Sequence, residues 1–401
     1  MRAVTWQGPR KVAVEEVPDP TIVQSDDAII RITTSGLCGS DLHLYEVMGP
    51  FLEEGDILGH EPLGVIEEVG ADVTAVAPGD RVAIPFQLCC GACLMCSQGL
   101  HTQCEQTQVT EHGMGAALFG YTKLYGQVPG AQAEYLRVPH ADFMPIRVPF
   151  GPPDERFVYL SDVMPTAWQA FQYADVPRGG TLGIVGLGPI GEMAARIALH
   201  HGIAVIGIDP VAERTQRVRR LGVTTIDPEE VDDIAEAVRG ITNGRGPDAV
   251  IEAVGMEAHG SPAGKIAHRL GALLPDAVVA PFMEQSGVDR LAALYLSIDL
   301  VRRGGTLSIA GVYGGMADPL PLLTLFDKQI QIRMGQANVK RWVDDLLPLV
   351  VDEDVLGVES FHSHRLPLDS APSAYEMFQH KDEGAFKVLF SPEMSSTGPG
   401  A

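Results

Sequence analysis

The hydrophobic rhythm of the chain changes near its middle. Over residues 1–150, short apolar or alternating runs at 12–17, 27–33, 63–69, 81–85 and 133–138 are separated by Gly, Pro and Asp. Period-two alternation over so few residues predicts half-buried strands, and the breakers predict long loops, so this part reads as compact and mostly antiparallel. The opening Met1-Arg2-Ala3-Val4-Thr5-Trp6 enters directly into the same alternation. From Thr181 the rhythm becomes strand, helix, strand. Strands are expected at 181–185, 203–209, 223–226, 248–254 and 305–312, with helices from about Pro189 and over 211–221 and 231–238. That alternation predicts a parallel sheet with helices on both faces. After about Leu320 the pattern is mixed again, with a helix near 342–351, a last strand at 386–390 and a Ser/Gly/Pro-rich end, 391–401, that reads as a frayed tail. The connection between Gly255 and Val301 is long for a βα unit and carries Pro262, Pro275 and Pro281. It reads either as a surface excursion or as a flap, residues 256–300, over a ligand crevice.

The turn after the 181–185 strand carries G-x-G-x-x-G as Gly186, Gly188 and Gly191, with Pro189 and Ile190 opening the helix. The first glycine permits a tight turn, the second a close phosphate approach, and the third close helix–strand packing. The helix N-terminus supplies unpaired N–H groups. Alone this is a weak signal. Asp209 strengthens it by ending the next strand 18 residues after Gly191, with Arg214 one helical turn on. A carboxylate there can hold both adenosine ribose hydroxyls and repels a 2′-phosphate, which favours NAD over NADP. Asp209 could equally serve as a helix N-cap.

Composition narrows the partners. The 401 residues suffice for about two cores, and the net charge of −23 repels nucleic-acid phosphates and anionic lipid, so neither nucleic acid nor membrane is expected as a partner. No apolar run reaches membrane-helix length, and the start lacks a signal-peptide core, which gives a cytoplasmic expectation. Five of the six cysteines crowd into positions 89–104, which points to metal rather than disulfides. Cys90, Cys93, Cys96 and Cys104 form C-x2-C-x2-C-x7-C, a spacing that can close four thiolates on one structural zinc, with Gly91 and Gly99 easing the turns. Cys89 is the surplus thiol. A second, dispersed group comprises Cys38-Gly39-Ser40-Asp41-Leu42-His43, after a strand and a presumed turn at Gly36, and Gly59-His60-Glu61. Histidines His200, His201, His362 and His364 have no partners at ligand spacing.

With these residues together, the chain resembles the zinc-dependent medium-chain alcohol dehydrogenase family from residue 2 to 390. The motifs are Gly36-Leu37-Cys38-Gly39-Ser40-Asp41-Leu42-His43, Gly59-His60-Glu61-Pro62-Leu63-Gly64, the four-cysteine lobe and the glycine turn. Within the family it is most similar to the glutathione-independent, formaldehyde dehydrogenase-like branch, through residues 160–166, 254–260 and 333–336. The resemblance implies a Rossmann doubly wound parallel sheet, residues 164–320, that binds NAD. It also implies a mostly-β GroES-like catalytic domain with a structural-zinc lobe, residues 1–163 and 321–401. Two Zn2+ per chain are expected. The catalytic ligands would be Cys38, His60 and Asp162, with Glu61 as an alternate carboxylate, although Asp162 also suits a helix N-cap before 163–173. Asp41 would fix the His60 tautomer, and Ser40 and His43 would relay the proton. Thr166, Val254, Gly255, Gly311 and Val312 would contact the nicotinamide half.

The implied activity is hydride transfer between a small alcohol or aldehyde hydrate and NAD, by a homo-oligomer, dimer or tetramer. A dismutase with tightly held NAD is the variant reading if the 256–300 flap clamps the nucleotide. The chain departs from the branch at Ala167-Trp168-Gln169 and Gln336-Ala337-Asn338, where Trp168 and Asn338 could reshape the pocket. Tyr45, Met48 and Phe51 could line it or pack in the core. A polyol or sugar dehydrogenase of the same fold would be favoured by Glu in place of Asp162. A non-catalytic nucleotide-binding protein is disfavoured by the intact Cys38, Ser40, His43, His60 and Asp162.

Overall fold

The structure, a computed structural model, describes residues 1–255, 291–313 and 320–394. It divides into two compact units, Met1–Thr166 with Ala337–Ala401, and Ala167–Gln336. The chain returns to the first unit at Ala337 rather than at residue 321.

The first unit is built on β1 (Arg2–Trp6), β2 (Val12–Glu16), β3 (Ala28–Leu37), β4 (Glu61–Val69), β5 (Arg81–Ala83), β6 (Tyr135–Val138) and β7 (Ile146–Arg147). Strand β1 pairs antiparallel with β2, and β3 with both β4 and β6. Along β3 the side chains of Ala28, Ile30 and Ile32 are fully buried against Val82, Ile84 and Phe119, while Leu37 at its far end packs with Val4 and Leu44. Register shifts at Ile29/Ile30 and Ile32/Thr34 let one ten-residue strand serve both clusters, since a bulge bends and twists its strand. Helix α1 (Gly39–Glu46) follows β3, and the four-residue α2 (Leu94–Ser97) lies in the cysteine lobe. Helix α3 (Val163–Ala174) spans the boundary between the units in sequence.

The second unit alternates as the pattern requires. Strands β8 (Thr181–Val185), β9 (Ala204–Ile208), β10 (Thr224–Ile226), β11 (Ala249–Glu252), β12 (Thr306–Ile309) and β13 (Gln331–Met334) are separated, among the described residues, by helices α4 (Pro189–His200), α5 (Ala212–Arg219), α6 (Ile234–Ile241), α7 (Ala292–Leu300) and α8 (Leu322–Lys328). All pairings are parallel, in the order β10-β9-β8-β11-β12-β13. The order reverses between β8 and β11, the switch point at which such sheets open a crevice at their C-terminal ends. Strand β13 explains the displaced boundary: Gln331–Met334 pairs with Thr306–Ile309, so residues 321–336 complete this sheet. No alternation marks this strand in the sequence, because Ile332 and Met334 are on an edge and exposed. The expected flap, 256–300, lies largely outside the described residues, and its end forms α7.

Back in the first unit, the expected helix at 342–351 is only α9 (Val343–Leu346) between short 3-10 turns, Pro348 capping its length. Then come β14 (His364–Pro367), α10 (Ala371–His380) and β15 (Val388–Ser391). Strand β15 pairs antiparallel with β3, so the sheet runs β14-β15-β3-β4-β5-β7 with β6 also on β3. At the far end of β3 its partners β4 and β15 bring Glu61, with His60 just before it, and the residues around Val388 alongside.

Candidate active site

Cys38 stands where β3 ends and α1 begins, His60 and Glu61 where β4 begins, and Asp162 between the Val158–Ser161 turn and α3. One donor atom from each of Cys38, His60, Glu61 and Asp162 lies within 4.8 Å of the others. Cys38 Sγ is 3.7 Å and His60 Nε2 3.5 Å from Asp162 Oδ2. Asp162 is not a side-chain cap. Its Oδ1 accepts from the Thr166 hydroxyl at 2.6 Å, an i,i+4 contact that leaves Oδ2 facing the cluster.

Asp41 is fully buried and oriented by its own helix. Its Oδ2 accepts from Cys38 N at 2.9 Å and from Gln132 Nε2 at 3.3 Å, and Gln132 is held in turn by the Tyr375 hydroxyl at 2.8 Å. Asp41 Oδ1 then lies 3.3 Å from His60 Nδ1, the expected orienting position, leaving Nε2 toward Asp162. Ser40 and His43, partly exposed, sit on α1. The Tyr121 ring meets His60 edge-on at 5.2 Å.

Gly36 is not a turn. It lies inside β3, opposite Glu61, and a Cβ there would fall 1.8 Å from Glu61 Oε2. Glycine is needed because the carboxylate fills that space. Lys387, fully buried on the approach to β15, pairs with Glu61 Oε2 and donates to Leu37 O at 3.1 Å. Sequence reading missed it, although a lysine within an apolar run is itself a signal, since a buried ammonium needs partners.

The electrostatics fit a cation. Three acidic groups, Cys38, Glu61 and Asp162, surround one imidazole, with Lys387 on the outer side of Glu61. Burial, then the neighbouring Glu61, pushes the Cys38 thiol up. Burial also raises Glu61 against the pull of Lys387. Burial resists charge on His60, yet Asp41 and other neighbours hold it well above its usual value. Glu61 Oε1 is buried without a hydrogen-bond partner among the described residues. Several buried anions and an orphaned carboxylate oxygen within one ion's reach are what a dication would relieve.

The cysteine lobe is equally specific. Donor sulfurs of Cys90, Cys93, Cys96 and Cys104 also lie within 4.8 Å of one another, and the six cysteines form no disulfide. Backbone N–H groups point at the sulfurs: Ala92 and Cys93 to Cys90 Sγ, Cys96 and Glu105 to Cys93 Sγ, and Cys90 to Cys104 Sγ, at 3.3–3.5 Å. Burial opposes ionisation of Cys104, but the Thr107 hydroxyl and backbone donors bring it down to about 6. Gly91 and Gly99 adopt φ +74° and +72°, as the turns demand. Cys89 stays outside the set, its sulfur 3.5 Å from Met144 Sδ. Asn338 belongs to this lobe rather than to a substrate pocket: its buried Oδ1 accepts from Thr102 N and Oγ1 at 3.0 and 3.1 Å. Trp168 packs its ring on Phe171 and His201, and Tyr45 is core, against Tyr375 at 5.3 Å.

In the second unit the glycine turn has the geometry its spacing predicts. Gly186 has φ +89°, Gly188 precedes α4 with only the Arg214 guanidinium near its Cβ position, at 3.8 Å, and a Cβ on Gly191 would fall 1.9 Å from Gly186 O. Asp209 is buried but does not cap α5, whose N-cap is Val211. Its Oδ2 accepts from Leu187 N at 2.7 Å and Oδ1 from Val211 N at 2.8 Å, with Arg214 Nη1 at 3.5 Å. The carboxylate thereby ties the glycine turn to the end of β9 and keeps lone pairs to spare. Val254 and Gly255 follow β11, Gly311 and Val312 follow β12, and Glu252, absent from the sequence-based set, lies under both. His201 bonds Ile197 O, and His362 precedes β14, so only His364 is in that strand.

Residues 24–148 match the alcohol dehydrogenase GroES-like domain family and residues 189–275 the zinc-binding dehydrogenase family. The chain is 37% identical over 396 residues to the zinc-type alcohol dehydrogenase-like protein AdhB of Bacillus subtilis (strain 168), covering 98% of this chain and 100% of that one. It is 29% identical to formaldehyde dismutase of Pseudomonas putida, covering 96% and 97%. Among solved structures, alcohol dehydrogenase TADH from Thermus sp. ATN1 superposes with TM-score 0.82 at 34% identity, over 98% of this chain and 99% of that one. No helix among the described residues is long and apolar enough to cross a membrane. Two clusters of donor side chains that could each hold a metal ion, a glycine turn at a sheet's switch point and end-to-end similarity agree: the chain belongs to the zinc-type medium-chain alcohol dehydrogenase family, and is an alcohol oxidoreductase.

Proposed function

We propose that the chain is an NAD-dependent dehydrogenase of a small alcohol or aldehyde hydrate, with one catalytic and one structural zinc. The observation that carries this reading is the convergence of Cys38, His60, Glu61 and Asp162 within 4.8 Å. Zinc, when bound, supplies Lewis acidity toward the substrate oxygen, and NAD supplies the hydride acceptor. Cys38, His60 and Asp162 hold the metal, while Lys387 occupies one oxygen of Glu61 and keeps that carboxylate in reserve. Asp41 fixes the imidazole and Thr166 the Asp162 carboxylate. Ser40 and His43, on the first turns of α1, carry the proton that leaves the substrate hydroxyl. Asp209 supports NAD over NADP, because a buried carboxylate at the end of β9 repels a 2′-phosphate.

The test is NADH absorbance with a panel of alcohols and aldehydes, with and without added NAD, together with metal analysis. Two zinc per chain and NAD-dependent turnover are expected, and Asp162→Ala should lose one zinc and the turnover. A chain holding one zinc, or an active Asp162→Ala, refutes the assignment. The Pseudomonas putida relative's name favours one second reading, aldehyde dismutation with retained nucleotide. Equimolar acid and alcohol from an aldehyde, without added NAD, would establish it.

Self-association fits the second unit. Among the described residues strand β13 is an edge strand of the sheet with Ile332 and Met334 exposed, and Leu322, Leu323 and Phe326 on α8 are 67–83% exposed. An unprotected edge beside an apolar patch supports pairing with a second copy. Leu323→Lys with Phe326→Glu should halve the mass seen by sedimentation; an unchanged mass removes this edge as the interface.

A further inference from the structure

Glu252 is the last residue of β11 and is fully buried. Its Oε1 accepts from Val254 N and Gly255 N, both at 2.8 Å. Its main-chain oxygen accepts from Ala310 N at 2.9 Å and Gly311 N at 3.0 Å. One residue therefore ties the backbone leaving β11 to the backbone leaving β12. The two segments also touch main chain to main chain. A Cβ on Gly255 would lie 2.7 Å from Val312 N, and one on Gly311 would lie 2.3 Å from Gly255 N and 2.4 Å from Glu252 Oε2. Both glycines are thus required by the contact, and Gly255 also by its φ of +63°. The carboxylate also interacts with the Tyr313 hydroxyl, and burial together with that neighbouring carboxylate raises the tyrosine. A carboxylate is an expensive way to close a turn in an apolar strand, unless two fixed N–H groups are worth more than the desolvation.

The place of this brace gives its purpose. The sheet runs β9-β8-β11-β12, with the switch point between β8 and β11. A dinucleotide bound there has one half on each side of the reversal. Asp209, at the end of β9, marks the adenosine side, so the ends of β11 and β12 receive the other half. We infer that Glu252 is a positioning residue for the nicotinamide half of NAD, holding residues 254–255 and 311–312 in one geometry while touching no ligand itself. This rests on the NAD reading above.

The experiment measures equilibrium binding of NAD and of ADP-ribose, which lacks the nicotinamide, to the full-length enzyme and to Glu252→Ala, Glu252→Asp and Glu252→Gln. Glu252→Ala should weaken NAD tenfold or more and ADP-ribose less than twofold. The amide oxygen of Glu252→Gln can accept from both N–H groups and should restore NAD to within threefold. Glu252→Asp keeps the charge but falls short of Gly255 N, so it should repeat the selective loss even if the alanine variant fails to fold. A merely structural role would move both ligands together. Equal weakening of the two, or NAD binding unchanged in Glu252→Ala and Glu252→Asp, overturns the inference. Wild-type protein that binds neither ligand overturns the NAD reading itself, a result distinct from either.

Discussion

Replacing Lys387 by Met tests how the cluster is balanced. Glu61 and Lys387 are each about 1% exposed, so removing the ammonium strands a carboxylate in a medium that cannot solvate it. Breaking such a pair from one side costs roughly 3–5 kcal/mol. A second route gives a similar figure: holding Glu61 protonated at pH 7, about 2.5 pH units above its ordinary 4.5, costs roughly 3.4 kcal/mol. In a unit of this size each kcal/mol shifts the melting temperature by roughly 2–4 °C. Chelator-treated Lys387→Met should therefore melt about 6–20 °C below wild type, with only the protein's own charges in play. Glu61→Gln alone, which strands the ammonium, should lose a comparable amount, and the double variant should regain most of either loss. The pH dependence has a defined sign. Burial opposes the Lys387 charge, but Glu61 and Cys38 outweigh it and raise the group above 10.5. We expect the ammonium charged, since it sits between Glu61 Oε2 and Leu37 O. A raised lysine contributes its stability fully below the unfolded value and loses it as pH rises through the folded one. The gap between wild type and Lys387→Met should hold from pH 7 to 9 and close only above about 10.5. A variant within 2 °C of wild type, or single losses that simply add in the double, would refute the reasoning.

Three further outcomes follow from the same geometry. Gly191→Ala places a methyl 1.9 Å from Gly186 O, so the turn must open. A loss of about 1–3 kcal/mol in stability and at least tenfold in both NAD and ADP-ribose affinity is expected by calorimetry. Asn338→Ala leaves Thr102 N without its acceptor in a buried site, a cost of about 1–3 kcal/mol, and should speed chelator-driven zinc release from the cysteine lobe. Asp154→Asn removes the charge and one acceptor oxygen of the carboxylate that takes Arg81 on Oδ1 and Thr34 on Oδ2. Burial opposes the Asp154 charge, but Thr33, Arg81 and Thr34 hold it below 3.8, so its stabilisation is present above that value and lost as pH falls through the folded one. Wild type should outlast Asp154→Asn in urea at pH 7 and match it near pH 2.

What could be read from the sequence divides by how far apart the partners are in it. The cysteine lobe and the glycine turn are local: backbone geometry alone brings sulfurs three residues apart together and forces glycine beside a strand end. Their spacing therefore predicts their shape. The alternation of the second unit is legible for the same reason, since period two and the helical period are local properties. Strand β13 escaped because an exposed edge writes no burial pattern. The structural place of Asn338 is not legible, because its partner, Thr102, is 236 positions away, and no spacing rule links them. Gly36 was read as a turn because glycine usually marks one. The actual reason, a carboxylate across the sheet, depends on the β3–β4 register, which the sequence does not state.

Lys387 shows where such a reading can be improved. The segment Ala385-Phe386-Lys387-Val388-Leu389-Phe390 has one charge among five apolar residues, all of them buried. A charge that a strand cannot push to solvent must have an anion at its tip. The only question is which one, and a pattern already carrying a carboxylate next to a ligand histidine narrows the choice. Glu61 is anomalous in the same way, an acid at the first residue of a buried strand. Two anomalies of opposite sign, 326 residues apart, account for each other. The pair then limits what the metal cluster can be. With Lys387 on Oε2, Glu61 contributes little net negative charge to the site, so Cys38 and Asp162 are left as the two anions that a single dication would balance under the proposed reading. Thr166 on the other oxygen of Asp162 keeps that carboxylate aimed.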